Sequence, residues 1–277
     1  MSLASKIVLL AVLIVLSLLF LLPIWSVLVT SLTPEGEIFM QGMVFWPNHP
    51  TISNFRGLFE RYPYLKWYRN SIIVSTFFVI GQMISCSMTA FGLAHFNFRG
   101  RGLILIVVLA TLMLPFHVLM IPMFLLMKNL GWINTLLPLF VPAFFGDITG
   151  AVGIFLLRQA FMGIPRDFAE AAYIDGANPL DVFVRVFLPL IRSYLAVLLL
   201  LSFMISWNDL VRPLVYISDV DVITVTGGLA FFQTEWRIEW GPVMAGTMMA
   251  IMPAMIGYIF LQRYFVKVAL TLSLIHI

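Results

Sequence analysis

Six stretches of this sequence are long, apolar and almost free of charge, and nothing else constrains the fold so strongly. A hydrocarbon layer roughly 30 Å thick takes about 20 apolar residues to cross as a helix. Ile7–Pro34, Asn70–Ala94, Gly102–Met127 and Trp240–Gln262 exceed that length without Asp, Glu, Lys or Arg, and Asn129–Leu157 does so with Asp147 as its one interruption. Ser193–Asn208 is shorter, but Leu188–Ile191 and Leu210–Val211 extend it if the flanking charges reach toward the headgroups. The expected fold is an all-α polytopic membrane protein with six transmembrane helices. Only 10% of residues are charged, against about a quarter in a soluble domain. The first run is longer than the core of a secretory signal and no small-x-small cleavage site follows it, so it is expected to remain as a membrane helix.

Several chemistries lack their residues. Cys86 is the single cysteine, and His49, His95, His117 and His276 are scattered without zinc-site spacing. No Gly-x-x-x-x-Gly-Lys-[Ser/Thr] phosphate loop occurs, so ATP binding has no visible seat. The spans carry no paired Asp residues and no Ser/His pair for an intramembrane enzyme. A net charge of +3 without a basic run gives no reason to expect nucleic acid. No cofactor and no metal are implied.

Six spans place both termini on one side, and short basic connections favour the cytoplasm. With cytoplasmic termini, Lys6, Arg99, Arg101, Arg158, Arg166, Arg185, Arg192, Arg263 and Lys267 lie inside, and Arg56, Arg61, Lys66, Arg69, Lys128, Arg212 and Arg237 outside. Arg99 and Arg101 in a tight turn, and four arginines in the connection after the fourth span, decide the orientation. Trp25, Trp67, Trp132, Trp207 and Trp240 then fall near outer span ends, where indoles favour the interface, and Trp46 and Trp236 fall in outer loops.

The connection after the fourth span, at about 158–190, is organised. Pro165 suits the first position of a helix and Gly176 the left-handed position beyond its end. Asn178-Pro179 reads as a second N-cap and first position, with Asp181 near the positive helix end and four residues ahead of Arg185. A helix-turn-helix knob results, in which Ala169, Ala171 and Ala172 allow another backbone to approach.

Glu170-Ala171-Ala172, Asp175-Gly176-Ala177 and Leu188-Pro189 resemble the EAA motif of ABC importer permeases. Asn70-Ser71, Phe98-Arg99-Gly100-Arg101, Leu114-Pro115, Ile121-Pro122, Gly131-Trp132-Ile133-Asn134-Thr135, Trp207-Asn208-Asp209 and Gln262-Arg263-Tyr264-Phe265-Val266 resemble the maltose-type, carbohydrate-uptake branch. The resemblance implies a first helix with its outer loop over 1–66 and a permease core over 67–267. A tail at 268–277 departs from the pattern and receives no role. It also implies ATP-binding subunits in two copies, a second and different permease chain, an extracytoplasmic solute-binding protein and a sugar-like solute in the plasma membrane. In that reading Glu170 anchors the loop to the ATPase, Ala171 and Ala172 pack closely against it, and Gly176 makes the bend.

Asp147 is the one acid deep in a span, where insertion costs roughly 2.5–3.5 kcal/mol, so it should face a cavity or a partner. Contact with solute hydroxyls and an interhelical hydrogen bond fit it equally. Gln82, Asn134, Thr149 and Asn208 are further polar candidates for the solute path, each also suited to joining helices. Asp209 is expected to stabilise a turn. An ion-gradient-driven secondary transporter is the alternative function, but it leaves the 158–190 knob unexplained.

Overall fold

A chain inside a bilayer must satisfy its own backbone, which an α-helix does. The computed structural model describes residues 3–40, 45–147, 150–232 and 239–274, with 265–274 as backbone. In chain order the helices are α1 (Leu3–Ser31), α2 (Ser53–Arg61), α3 (Tyr64–His95), α4 (Arg101–Ala110), α5 (Phe116–Asn129), α6 (Leu137–Phe140) and α7 (Gly150–Met162). They continue as α8 (Asp167–Ile174), α9 (Pro179–Asp181), α10 (Leu188–Leu190), α11 (Arg192–Trp207), α12 (Val211–Tyr216), α13 (Val225–Ala230) and α14 (Trp240–Leu274). Among the described residues, four helical stretches can cross a membrane by length and composition, or up to six if each of two bent pairs counts as one span.

Three expected spans differ from the prediction. Gly102–Met127 is not one rod: Arg101–Met113 and Phe116–Asn129 meet at 100°. Pro115 is the cause, since it lacks an N–H and forces the residue before it out of the helical region; Leu114 is extended at φ −93°, ψ 102°. The fourth span begins later than expected, because Gly131 and Asn134 take left-handed turns, and it runs over Leu137–Met162. Val141–Phe145 is a 3-10 turn closed by Gly146 at φ +81°, which leaves Asp147 at a break between helices. Leu188–Ile191 does not lengthen the fifth span, because Pro179–Leu190 and Arg192–Trp207 meet at 83°. At its other end α11 stops at Trp207, and Val211 opens the separate α12.

The chain divides into two compact units, the first comprising Met1–Lys66 and Gly228–Pro253. Within it α1 is apolar on every side, with Ile7, Leu13 and Phe20 all exposed, as a lipid-facing helix must be. Its last turn leaves carbonyls without helical partners, and the buried Asn54 amide donates to Ser31 O at 2.9 Å and Thr33 O at 2.8 Å. The Glu35 carboxylate accepts the Trp240 and Gly241 N–H groups at 3.1 and 2.6 Å, a negative charge at the positive end of α14. A side chain at position 241 would collide with Asn54 and Glu35, which accounts for Gly241. Tyr62 donates to Glu239 at 3.2 Å; burial, and then the Glu239 charge, hold its phenol above the usual value.

The second unit comprises Trp67–Gly227 and Ala254–Ile277. Here α3, α7 and α11 approach closely because α7 presents glycines. A methyl group at Gly153 would lie 2.6 Å from Leu198 Cδ1 and 3.0 Å from Cys86 Sγ, the small-residue packing that membrane helices use. The segment 220–225 is pinned to the start of α3. Trp67 Nε1 donates to Val220 O at 2.6 Å, Asn70 Nδ2 donates to Val222 O at 2.8 Å, and Ser71 Oγ accepts the Val225 N–H at 2.9 Å. Two of the expected interface indoles therefore serve the protein interior. Trp67 is fully buried, and Trp207 is buried beside Phe203 and Tyr68. Trp236 lies outside the described residues.

Candidate functional site

The connection from α7 to α11 is built from local signals. The expected helix after Pro165 starts slightly later, at Asp167, a shift within the usual fraying of helix ends. It ends where Gly176 turns left-handed at φ +85°. The Gly176 N–H donates to Tyr173 O at 3.0 Å and the Ala177 N–H to Ala172 O at 2.9 Å, the paired bonds of a Schellman end. Asn178 then caps the next helix: its Oδ1 accepts the Leu180 and Asp181 N–H groups at 2.9 and 3.0 Å, and the Asp181 carboxylate reaches back to the Asn178 N–H. Asp181 pairs with Arg185 at 3.2 Å. Val182–Phe187 widens to a π-helix.

The inward face of this connection is aromatic. Phe183 and Phe187 pack around Phe91 of α3 with Phe161 of α7, at centroid distances of 5.0 to 5.6 Å. Ala169 and Val182 are buried in the same cluster, and Ala172, Ala177 and Leu188 pack against it. His95 Nε2 and the Tyr173 hydroxyl lie 3.0 Å apart and join the end of α3 to α8. The connection is thus held to the spans as one packed body. Ala169, expected to admit another backbone, instead admits the chain's own core.

The outward face is apolar at its centre and acidic around it. Ile174 is 86% exposed and Leu180 64%, with Phe168 nearly half exposed. Glu170, Ala171, Asp175, Gly176 and Pro189 are exposed as well.

Asp147 finds its partner far along the chain. Its Oδ2 accepts from Arg212 Nη1 at 3.1 Å, and Arg212 Nε donates to Asp209. All three side chains are between 13% and 16% exposed, and the guanidinium sits 5.3 Å above the Phe78 ring. They line a cavity of about 240 Å³ together with Phe116, His117, Met123 and Tyr216. Arg212 is absent from the sequence-derived site, where it counts only as an outer-loop charge. The available signal was charge balance, since an acid in a span calls for a cation.

Gln82, Asn134 and Asn208 do not line that cavity. Gln82 is buried and accepts the Cys86 thiol at 3.0 Å. Asn134 Oδ1 accepts the Ser218 N–H at 2.6 Å and fixes a turn. Asn208 donates to Met204 O at 2.8 Å at the end of α11. Thr149 lies outside the described residues. Asp209 accepts the Arg212 N–H at 3.3 Å, which closes the turn expected of it.

Residues 70–269 match the family described as binding-protein-dependent transport system inner membrane component. The arabinooligosaccharide transport permease AraQ of Halalkalibacterium halodurans is 34% identical over 88% of this chain and 87% of its own length. The sn-glycerol-3-phosphate transport permease UgpE of Escherichia coli is 28% identical over 89% of each. A crystal structure of a bacterial ABC transporter involved in import of the acidic polysaccharide alginate contains a chain that superposes with a TM-score of 0.80 at 26% identity, covering 96% of this chain and 99% of that one. A packed, outward-facing knob on an all-helical multi-pass chain, and sequence likeness along nearly all of it, lead to one assignment: the chain belongs to the inner membrane components of binding-protein-dependent transport systems, the non-catalytic permease subunits of ABC importers.

Proposed function

We propose that this permease moves a sugar or sugar-like solute, forms half of a pore with a second, different permease chain, and docks through residues 158–190 onto an ATPase present in two copies. The observation that carries the docking is the two-sided build of that connection. Its inner face is locked to α3 and α7, and its outer face offers Phe168, Ile174 and Leu180 among Asp167, Glu170 and Asp175. A groove that is apolar at its floor and basic at its rim is the complementary surface, with Glu170 as the charged anchor. Movement of the ATPase pair then passes to the spans as rigid-body motion, since coupling is differential contact with two states. The permease core occupies 67–267, both termini are cytoplasmic, and an extracytoplasmic binding protein delivers the solute.

The substrate class rests on the relatives, which include carriers of arabinooligosaccharides and of sn-glycerol 3-phosphate. Of the polar candidates, Asp147 stays on the proposed solute path because it lines a cavity. Gly176→Asp is the test of the docking connection: the bend needs a left-handed backbone, so this variant should reach the membrane at normal level yet lose uptake and sugar-stimulated ATP hydrolysis in the reconstituted complex. Wild-type uptake would refute the coupling role. Cysteine labelling at Ser5→Cys and Asn48→Cys should give opposite sidedness; labelling of both from one side overturns the topology.

A further inference from the structure

A second cavity, of about 150 Å³, lies where α3, α4, α7 and the start of α8 converge. Arg101, Arg158, Arg166 and His95 line it together with Phe161 and Phe187, and no carboxylate does. Among the described residues none of the three arginines makes an ion pair with Asp or Glu. Arg101 donates only to neutral oxygens, Phe96 O and Asn97 Oδ1. The Arg158 Nε is buried with no hydrogen-bond partner. An unmet buried donor costs about 1–3 kcal/mol, and more when it carries charge, and three guanidinium groups around one small cavity repel one another. An anion in the cavity would offset both penalties.

We infer that this cavity binds a phosphate group, and that an anionic phospholipid headgroup presents it. Phosphate accepts several guanidinium forks at once, which one carboxylate cannot. The setting favours a lipid source. Arg101 opens α4, and the residues that follow it, Leu103, Ile104, Ile106 and Val107, are exposed and apolar, as is Met162 beside the cavity. Acyl chains can lie along that surface while the headgroup enters the basic cavity, the arrangement by which pockets between membrane helices hold anionic lipids. Occupancy would join α4 and α7 to Arg166, the residue immediately before α8. The binding site stands apart from the identity of the transported solute.

The test uses the purified full complex, stripped of lipid in detergent and examined by native mass spectrometry. Short-chain phosphatidylglycerol, short-chain phosphatidylcholine and inorganic phosphate are titrated separately. Phosphatidylglycerol should be retained in clear preference to phosphatidylcholine, and Arg101→Gln and Arg166→Gln should each weaken it about fivefold. Arg99→Gln, which removes an exposed charge outside the cavity, should leave retention unchanged. These two cavity variants keep the test open if Arg158→Gln fails to fold. Phosphate binding as tightly as phosphatidylglycerol, with the same variant dependence, supports the site and assigns it to a soluble source. Equal retention of both lipids, or the same loss in Arg99→Gln as in the cavity variants, overturns the inference. Loss of the ATPase subunit from Arg101→Gln and Arg166→Gln with lipid retention unchanged also overturns it, and assigns the arginines to an acid of that partner.

Discussion

The 158–190 connection and the surroundings of Asp147 both place polar residues in a mostly apolar chain, and they satisfy them over different distances. In the connection Asn178 caps its own helix within three positions and Asp181 pairs with Arg185 within four. At Asp147 the counter-charge comes from Arg212, 65 positions away. Local pairs form wherever the helix forms, so they survive at a surface where each is worth little. The distant pair exists only once the helices pack, and it lies where losing it is expensive.

The largest test of that contrast is Arg212→Ala. It leaves Asp147 and Asp209 without their shared cation, at an expected cost of about 3–5 kcal/mol, read as a lower melting temperature of the detergent-purified complex. Arg212→Lys should recover only part, because an ammonium cannot serve two carboxylates as a planar fork does. An unchanged melt for Arg212→Ala would erase the distinction between the two regions. Phe91→Ala comes next. It removes the centre of the aromatic cluster at a cost of about 3 kcal/mol, and it should reduce the coupling of ATP hydrolysis to uptake while the ATPase stays bound. Retained coupling would show that the knob does not need its anchor.

Asn178→Ala sharpens the local side of the comparison. Loss of the cap should cost about 1 kcal/mol, seen as faster hydrogen exchange at Leu180 and Asp181 with little change elsewhere; exchange that spreads into α3 would mean the cap supports the spans too. Arg185→Ala is the smallest, at about 0.5 kcal/mol or less, since the Arg185 side chain is 80% exposed. A large loss of stability there would place that pair in a contact absent from the single chain.

The 158–190 connection was legible because its signals are short-range: a glycine for a left-handed bend, an Asn-Pro helix start, and an acid four residues before an arginine. The spans were legible in their apolar chemistry but less so in number and shape, since two of the expected six are bent pairs. Pro115 stood in plain view, yet whether a proline kinks a helix or ends it depends on whether neighbours restore the lost bond; Pro23, Pro122 and Pro253 remain inside helices while Pro115 marks a 100° turn. The indoles left their facing open for a related reason. A tryptophan at a span end suits the interface and the interior alike, and Trp67 is interior because Val220 O accepts its N–H.

By itself the sequence determined that the chain lives in a membrane, that it is helical, and that one connection is a built knob, because hydropathy and capping act over a few turns of one helix. Tertiary structure alone decided that Arg212 answers Asp147, that Gln82 meets Cys86 and Asn134 meets Ser218, and that three arginines without acids surround one cavity. Those outcomes depend on which helix faces meet, and a distance of 3 Å between residues 65 apart has no signature in the order of the residues.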